Sequence, residues 1–337
     1  VTIYLFFMIT FSLPDNYSSA YTGATYTIDD TTTTQPQIVE VLDSQRGETL
    51  GFRRVQYLNN NKINIARYLA RALNPQPILS SGWSVPEGRS VEAQLFSDDV
   101  PTEKRIFTAS LSDLSEDRLL SSLTHRTVTH RDLDEISLFA HAGQLTISVA
   151  FGANSPTQQI IALRNHKGGL ISYVLEVENI LGYANKPEEV RQFWIYISLA
   201  GKTIGQLRYS IVPATSQSVR LGWLNPYGAI DYHTFRSLGR LLRSEKERVM
   251  TGNSVQRVST IRSSYVWEEV LSSGYLPAAT AVALSGLLSS PRVWRIDEGE
   301  AHLVDVTDEM VAVSDEEQLS ALRFSVREAE PHQTQFF

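Results

Sequence analysis

The strongest restriction on what this chain can fold into is a rhythm. Short β-type runs recur through residues 89–212, and glycine-bearing turns separate them. Residues 135–141 and 144–151 flank Ala142-Gly143. Residues 160–163 and 170–177 flank His166-Lys167-Gly168-Gly169, and residues 190–199 and 206–212 flank Gly201-Lys202. Strands at this spacing, joined by such turns, argue for antiparallel β-sandwiches. In one of them Phe193, Ile195 and Ile197 alternate with Trp194, Tyr196 and Ser198, so one face is aliphatic and the other mostly aromatic. A βαβ alternation of Rossmann type is not seen.

Around this centre the pattern changes. Residues 13–36 are polar, with the run Thr31-Thr32-Thr33-Thr34, and read as an extended arm. Residues 38–42 and 51–58 are strand-like. Residues 63–73 place Ile65, Tyr68, Leu69 and Ala72 on one face of a short helix that ends before Asn74-Pro75. Residues 277–288 read as the best helix, with Pro277 in its first turn and Ser290-Pro291 beyond its end. Residues 292–296, 301–306, 310–313 and 322–326 then form a small β-unit, while residues 241–250 fit either an exposed helix or a strand. The expected architecture is mainly β: consecutive antiparallel β-sandwich-like domains, a few short helices and a small C-terminal α+β unit. The expected divisions are 1–152, 153–235 and 236–337.

Composition narrows the function. The chain has no cysteine, which removes disulfides, thiolate metal sites and thiol nucleophiles. Its formal net charge of -7 disfavours non-specific binding to phosphate backbones, so no nucleic-acid partner is expected. Hydrophobic residues at 42% suffice for packed cores. Residues 1–13, VTIYLFFMITFSL, are too few to span a bilayer, and no Lys or Arg precedes Arg46 to form a signal-peptide basic region. No membrane span is expected. Val1 and Met8 suggest alternative starts, with residues 1–7 an optional extension.

Candidate chemistry is sparse. Gly201-Lys202-Thr203 ends like a phosphate-binding loop, but Tyr196 stands where the motif needs glycine and strands lie on both sides, so a hairpin turn is the better reading. His125 and His130 are five apart, which matches no metal-ligand spacing on a helix or strand. His141 and His233 read as turn or edge residues, so His233→Ala is expected to leave stability nearly unchanged. Acidic pairs such as Asp98-Asp99 and residues 113–117, 297–300 and 315–317 read as solvated loops. No Gly-x-Ser-x-Gly elbow is present. The expectation is no catalytic residue, no cofactor and no metal.

The densest signature is Trp223-Leu224-Asn225-Pro226-Tyr227-Gly228-Ala229-Ile230-Asp231-Tyr232-His233-Thr234-Phe235. Asn225-Pro226 begins a turn, Gly228 supplies positive φ, and Asn225 and Asp231 are expected to bond turn backbone groups. Trp223 and Phe235 should anchor the flanking strands, and Gly228→Val should break the turn. Two further stretches accompany it: Leu13-Pro14-Asp15 through Ala20-Tyr21 ahead of the 63–73 helix, and Leu287-Leu288-Ser289-Ser290-Pro291-Arg292-Val293-Trp294 ahead of the strands at 301–307 and 322–329. In order and spacing the three resemble a family of structural tail proteins from phages and prophages of Bacteroidetes hosts. Pro226 and Tyr227 stand where that family more usually has basic or small residues. The resemblance implies a structural virion protein of the tail, made in the host cytoplasm. It would act by homo-oligomeric assembly with neighbouring tail proteins and without catalysis. The aromatic face with Trp194 and Tyr196 is then an interface candidate. Rival readings are a β-sandwich carbohydrate-binding or adhesin module and a glycan-active enzyme.

Overall fold

The computed structural model describes residues 10–29, 37–55, 61–97, 100–152, 158–251, 257–313, 319–328 and 333–336. Their architecture is mainly β, in three units with short helices between strands.

The N-terminal unit stacks two sheets. One orders Thr10–Ser12, Thr25–Asp29 and Asn61–Asn64; the other runs Ser18–Ser19, Arg105–Thr108, Ser90–Ser97, Gln37–Asp43 and Glu48–Val55. Ser90–Ser97 alternates strictly between buried and half-buried positions, as a strand with one core face must. The helix is Ala66–Ala72, shorter than the sequence suggests, because Asn61–Asn64 continues as strand. The described part of the polar segment read as an extended arm contributes to this core: Ala20, Ala24 and Tyr26 are fully buried. Ser18–Ser19 pairs in parallel with Phe107–Thr108. Small residues let the segment lie close against the sheet, and this overrides its polar composition. Residues 1–9 and 30–36 lie outside the described residues.

The central unit is a sandwich. Its inner sheet orders Arg118–Leu119, Leu133–Ala140, Gly169–Glu176 and Gly82–Ser84. Its outer sheet orders His125–Val128, Lys202–Ile211, Gln192–Leu199, Gly143–Ala150 and Gln159–His166. Ile136, Leu138, Leu145, Ile147, Phe193, Ile195, Ile197 and Leu207 fill the space between them. The expected division at residue 152 falls inside this sandwich, since Gly143–Ala150 pairs with Gln159–His166 across it. Ala200 and Gly201 take positive φ of 47° and 84° in the turn between Gln192–Leu199 and Lys202–Ile211, so Gly201-Lys202-Thr203 belongs to a hairpin.

The C-terminal unit combines the helix Ala278–Leu284 with six antiparallel strands that close into a barrel. Ser218–Leu224 pairs with Ile230–Thr251, that strand with Arg257–Ser272, that with Leu319–Glu328, that with Glu300–Val313, that with Val293–Asp297, and Val293–Asp297 returns to Ser218–Leu224. Closure leaves no free edge in the ring. Leu221, Trp223, Phe235, Leu271, Val293, Leu322 and Phe324 form its core. The helix Ala278–Leu284 and the following turn Ser285–Leu287 add Leu284 and Leu287 to that core. The expected division at residue 235 therefore cuts through a barrel strand. Residues 241–250, which the sequence left open between helix and strand, are strand.

Candidate functional site

The signature at residues 222–235 builds the place where the three units meet. Asn225 organises its turn. Its Oδ1 accepts the amides of Tyr227 at 2.9 Å and Ala229 at 3.2 Å. Its Nδ2 donates to the Leu120 carbonyl at 3.0 Å. Gly228 sits at φ 74°, and a Cβ there would lie 2.6 Å from the Ala109 carbonyl carbon and 2.7 Å from the Ser110 nitrogen. Glycine is needed twice over, for the left-handed bend and for contact with the N-terminal unit. The Pro226 carbonyl accepts the Leu111 amide at 2.8 Å, which completes that docking.

The strand leaving the turn is buried on both faces. Asp231 does not serve its own turn. Its carboxylate accepts the Ser122 amide at 2.9 Å, the Ser122 hydroxyl at 2.5 Å, the Ser121 hydroxyl, and Arg126 Nη2 at 2.8 Å. Arg126 Nη1 donates onward to Asp134 at 2.6 Å. Asp134 also accepts from the Tyr209 hydroxyl at 2.6 Å and from Arg220. Arg220 caps the carbonyls of Thr127 and Leu133 at 3.0 Å each. Beside this cluster Glu135 accepts from Arg89 of the N-terminal unit, Ser172 at 2.8 Å, Ser137 at 2.7 Å and the barrel's Tyr232 at 3.1 Å. Each unit thus supplies a charge or hydroxyl that another unit's partner requires.

The electrostatics follow from burial against pairing. Burial opposes ionisation of Glu135, yet Arg89 and the hydroxyls outweigh it and hold the carboxyl below its ordinary value. Burial likewise works against the charge on Arg89 and Arg126, and the carboxylates overcome it, so both stay cationic. Burial, reinforced by Asp134 and Glu135, pushes the phenols of Tyr209 and Tyr232 well up. His233 is fully buried, which corrects its reading as an edge residue. Its Nδ1 accepts the Thr127 amide at 3.2 Å, fixing the neutral tautomer with the proton on Nε2. Burial first, then Arg220, His125 and Arg126, push its pKa well below the usual histidine value.

These groups cannot act on a ligand from where they stand. Asp134, Glu135, Asp231 and His233 are at most 1% exposed, and every carboxylate is held by an arginine. The arrangement is a lock between units. Among the described residues no group of three acidic or histidine side chains could hold a metal ion.

The remaining candidates lie elsewhere. Trp223 and Phe235 are in the barrel core. Trp194 and Tyr196 are half-buried on the outer face of the sandwich, with the Arg208 guanidinium 5.8 Å from the Trp194 ring centroid, so that face is partly covered. Sequence reasoning missed Arg89, Arg126, Asp134, Glu135 and Arg220. The available signal was charge at inward strand positions, as in Asp134-Glu135 ahead of Ile136 and Arg220 between Val219 and Leu221.

No family model matches the chain, and no curated protein matches it. Among solved structures, one of surface layer protein SbsC, domains 4–9, aligns with 97% of this chain at 7% identity and a TM-score of 0.21. The chain spans 44% of that structure, and a superposition this poor carries no argument about fold or function.

Proposed function

We propose that this chain is a structural subunit that works by assembly and not by catalysis, and that its place is the tail of a phage virion. The tail placement comes from the sequence resemblance. The observation that carries the assembly reading is the ribbon of Ile230–Thr251 and Arg257–Ser272. These strands pair from Arg236 and Ser272 out to Thr251 and Arg257, whereas the barrel neighbour Leu319–Glu328 pairs only as far as Glu268. A ribbon therefore continues past the ring: Gln333–Phe336 pairs along Arg262–Tyr265 on one side, and among the described residues Ile230–Thr251 pairs with no strand on its other side beyond Arg236. At its base Leu238, Leu241 and Leu242 are each at least half exposed. Exposed apolar side chains beside an edge strand offer a neighbour both burial and main-chain hydrogen bonds. The sealed junction complements this, because a rigid body gives a projecting ribbon a fixed direction.

The test is to replace residues 245–264 with an Asn-Gly turn. The expected result is an unchanged melting temperature for the body and loss of incorporation into particles, followed by light scattering and imaging. A shortened chain that incorporates like the full chain would overturn the reading.

A further inference from the structure

The barrel's two ends differ. The helix Ala278–Leu284 and the turn after it add Leu284 and Leu287 to the core at one end. The other end is open and mixes apolar walls with charged side chains. Strand alternation puts Trp267 and Glu269 on the face of core residue Leu271, and Arg295 on the face of core residue Val293. Together with Arg240, His302 and Glu328 these side chains line a cavity of about 980 Å³. Arg295 Nη1 donates to Glu269 Oε2 at 2.5 Å, and Arg240 Nε lies 3.7 Å from the same oxygen. Burial opposes the Glu269 charge, but Ser237, Arg295 and Arg240 hold it ionised.

Trp267 is the feature the fold does not explain. It is 49% exposed, while Trp223 and Trp294 are buried and Trp83 and Trp194 half-buried. Its cross-strand partner Leu242 is 55% exposed, so the indole gains little burial from the fold. An exposed indole at the rim of a cavity with apolar walls and a few charged groups is the arrangement that stacks on a ligand with one apolar face and a hydroxylated edge.

We infer that this mouth is a saccharide-binding site, with a neutral oligosaccharide as its ligand. The indole supplies the platform for the C–H face of a pyranose ring. The guanidinia of Arg240 and Arg295 donate to ring hydroxyls, and the carboxylates of Glu269 and Glu328 accept from them. The charges argue against other ligand classes. Arginines and carboxylates both line the cavity in near-equal number, so there is no cationic excess for a phosphate. Glu269, already ion-paired to arginine, is a poor ligand for a divalent cation. The site adjoins the ribbon base of the assembly reading, since Leu242 lies opposite Trp267, and sugar titration tests it separately from incorporation into particles.

The experiment uses the purified full chain, with tryptophan fluorescence and calorimetric titration. The probes are linear tetrasaccharides of glucose, mannose, galactose and N-acetylglucosamine, with inorganic phosphate and calcium chloride alongside. Saturable binding of at least one tetrasaccharide is expected, weakened roughly tenfold or more by Trp267→Ala and unchanged by Trp194→Ala. Arg240→Gln, at a side chain 61% exposed, should weaken binding several-fold with no change in melting temperature. Flat titrations with all four sugars overturn the inference. So does sugar binding that survives Trp267→Ala, or a response to phosphate or calcium alone.

Discussion

Two arginine–carboxylate clusters in this molecule use the same side chains to opposite ends. At the junction, Arg126, Arg220, Asp134 and Asp231 have side chains no more than 6% exposed and pair with one another between sandwich and barrel. At the barrel mouth, Arg295 is 25% and Arg240 61% exposed around a Glu269 carboxylate that is itself 9% exposed, so here it is the arginines that meet water. In the first, water is excluded and each charge depends on its protein partner. In the second, water and any ligand compete for the same hydrogen bonds. Burial, and not residue type, separates a lock from a contact surface.

The comparison breaks most sharply at Asp134. Asp134→Ala takes a buried carboxylate from Arg126 and Arg220 at once, leaving them Asp231 at 2.8 Å and Asp132 at 3.8 Å, and removes the acceptor of the Tyr209 hydroxyl. It should cost about 3–5 kcal/mol, read as lost soluble yield or a large drop in urea midpoint. A loss below about 1 kcal/mol would show that the junction is not sealed.

Next comes the docked turn. Gly228→Val forces a β-branched residue to positive φ and drives its Cβ into the 109–110 backbone, so strain of about 1–3 kcal/mol is a lower bound. Gly239 also has positive φ, 148°, but nothing lies within 4 Å of its Cβ position. Gly239→Ala should therefore be milder than Gly228→Ala, and comparing their melting temperatures isolates the docking contact.

His233 tests the dryness of the junction by pH. Its folded pKa lies well below the ordinary histidine value of about 6.5, so the unfolded chain binds the proton more readily. The stability His233 lends is complete above about pH 6.5 and drains as pH falls, by at most about 1.4 kcal/mol per unit. Stability in urea titrations should therefore fall between about pH 6.5 and 5. Most of that slope should vanish in His233→Gln, and His125, whose pKa burial and Arg208 also lower, supplies the remainder. Glu135 acts further down: its depressed pKa means that its contribution persists above the ordinary carboxylate range and is lost only in stronger acid. His233→Ala should also destabilise at neutral pH, by about 1–3 kcal/mol, since it leaves the Thr127 amide unpaired. Flat stability from pH 6.5 to 5 would contradict this account.

The smallest effect belongs to the mouth. Glu269→Gln leaves Arg295 and Arg240 with access to water, so about 1 kcal/mol or less is expected by urea melt. A loss as large as that of Asp134→Ala would mean that the mouth is a second lock, and would remove the contrast.

What the sequence determined by itself is local. Alternation in residues 193–198 set the buried face of that strand, Gly201 marked a hairpin, and Asn225-Pro226 with Gly228 marked a reversal, because strand period and positive φ depend only on neighbouring residues. Tertiary structure decided the rest. Arg126 and Asp231 are 105 residues apart and share no pattern that links them. Barrel closure depends on Arg257–Ser272 finding Leu319–Glu328, and the polar segment at residues 18–26 became core only because a sheet lay ready to receive its small side chains. An isolated charge on a strand reads as solvent-facing, and only the fold supplies the partner that makes burying it tolerable.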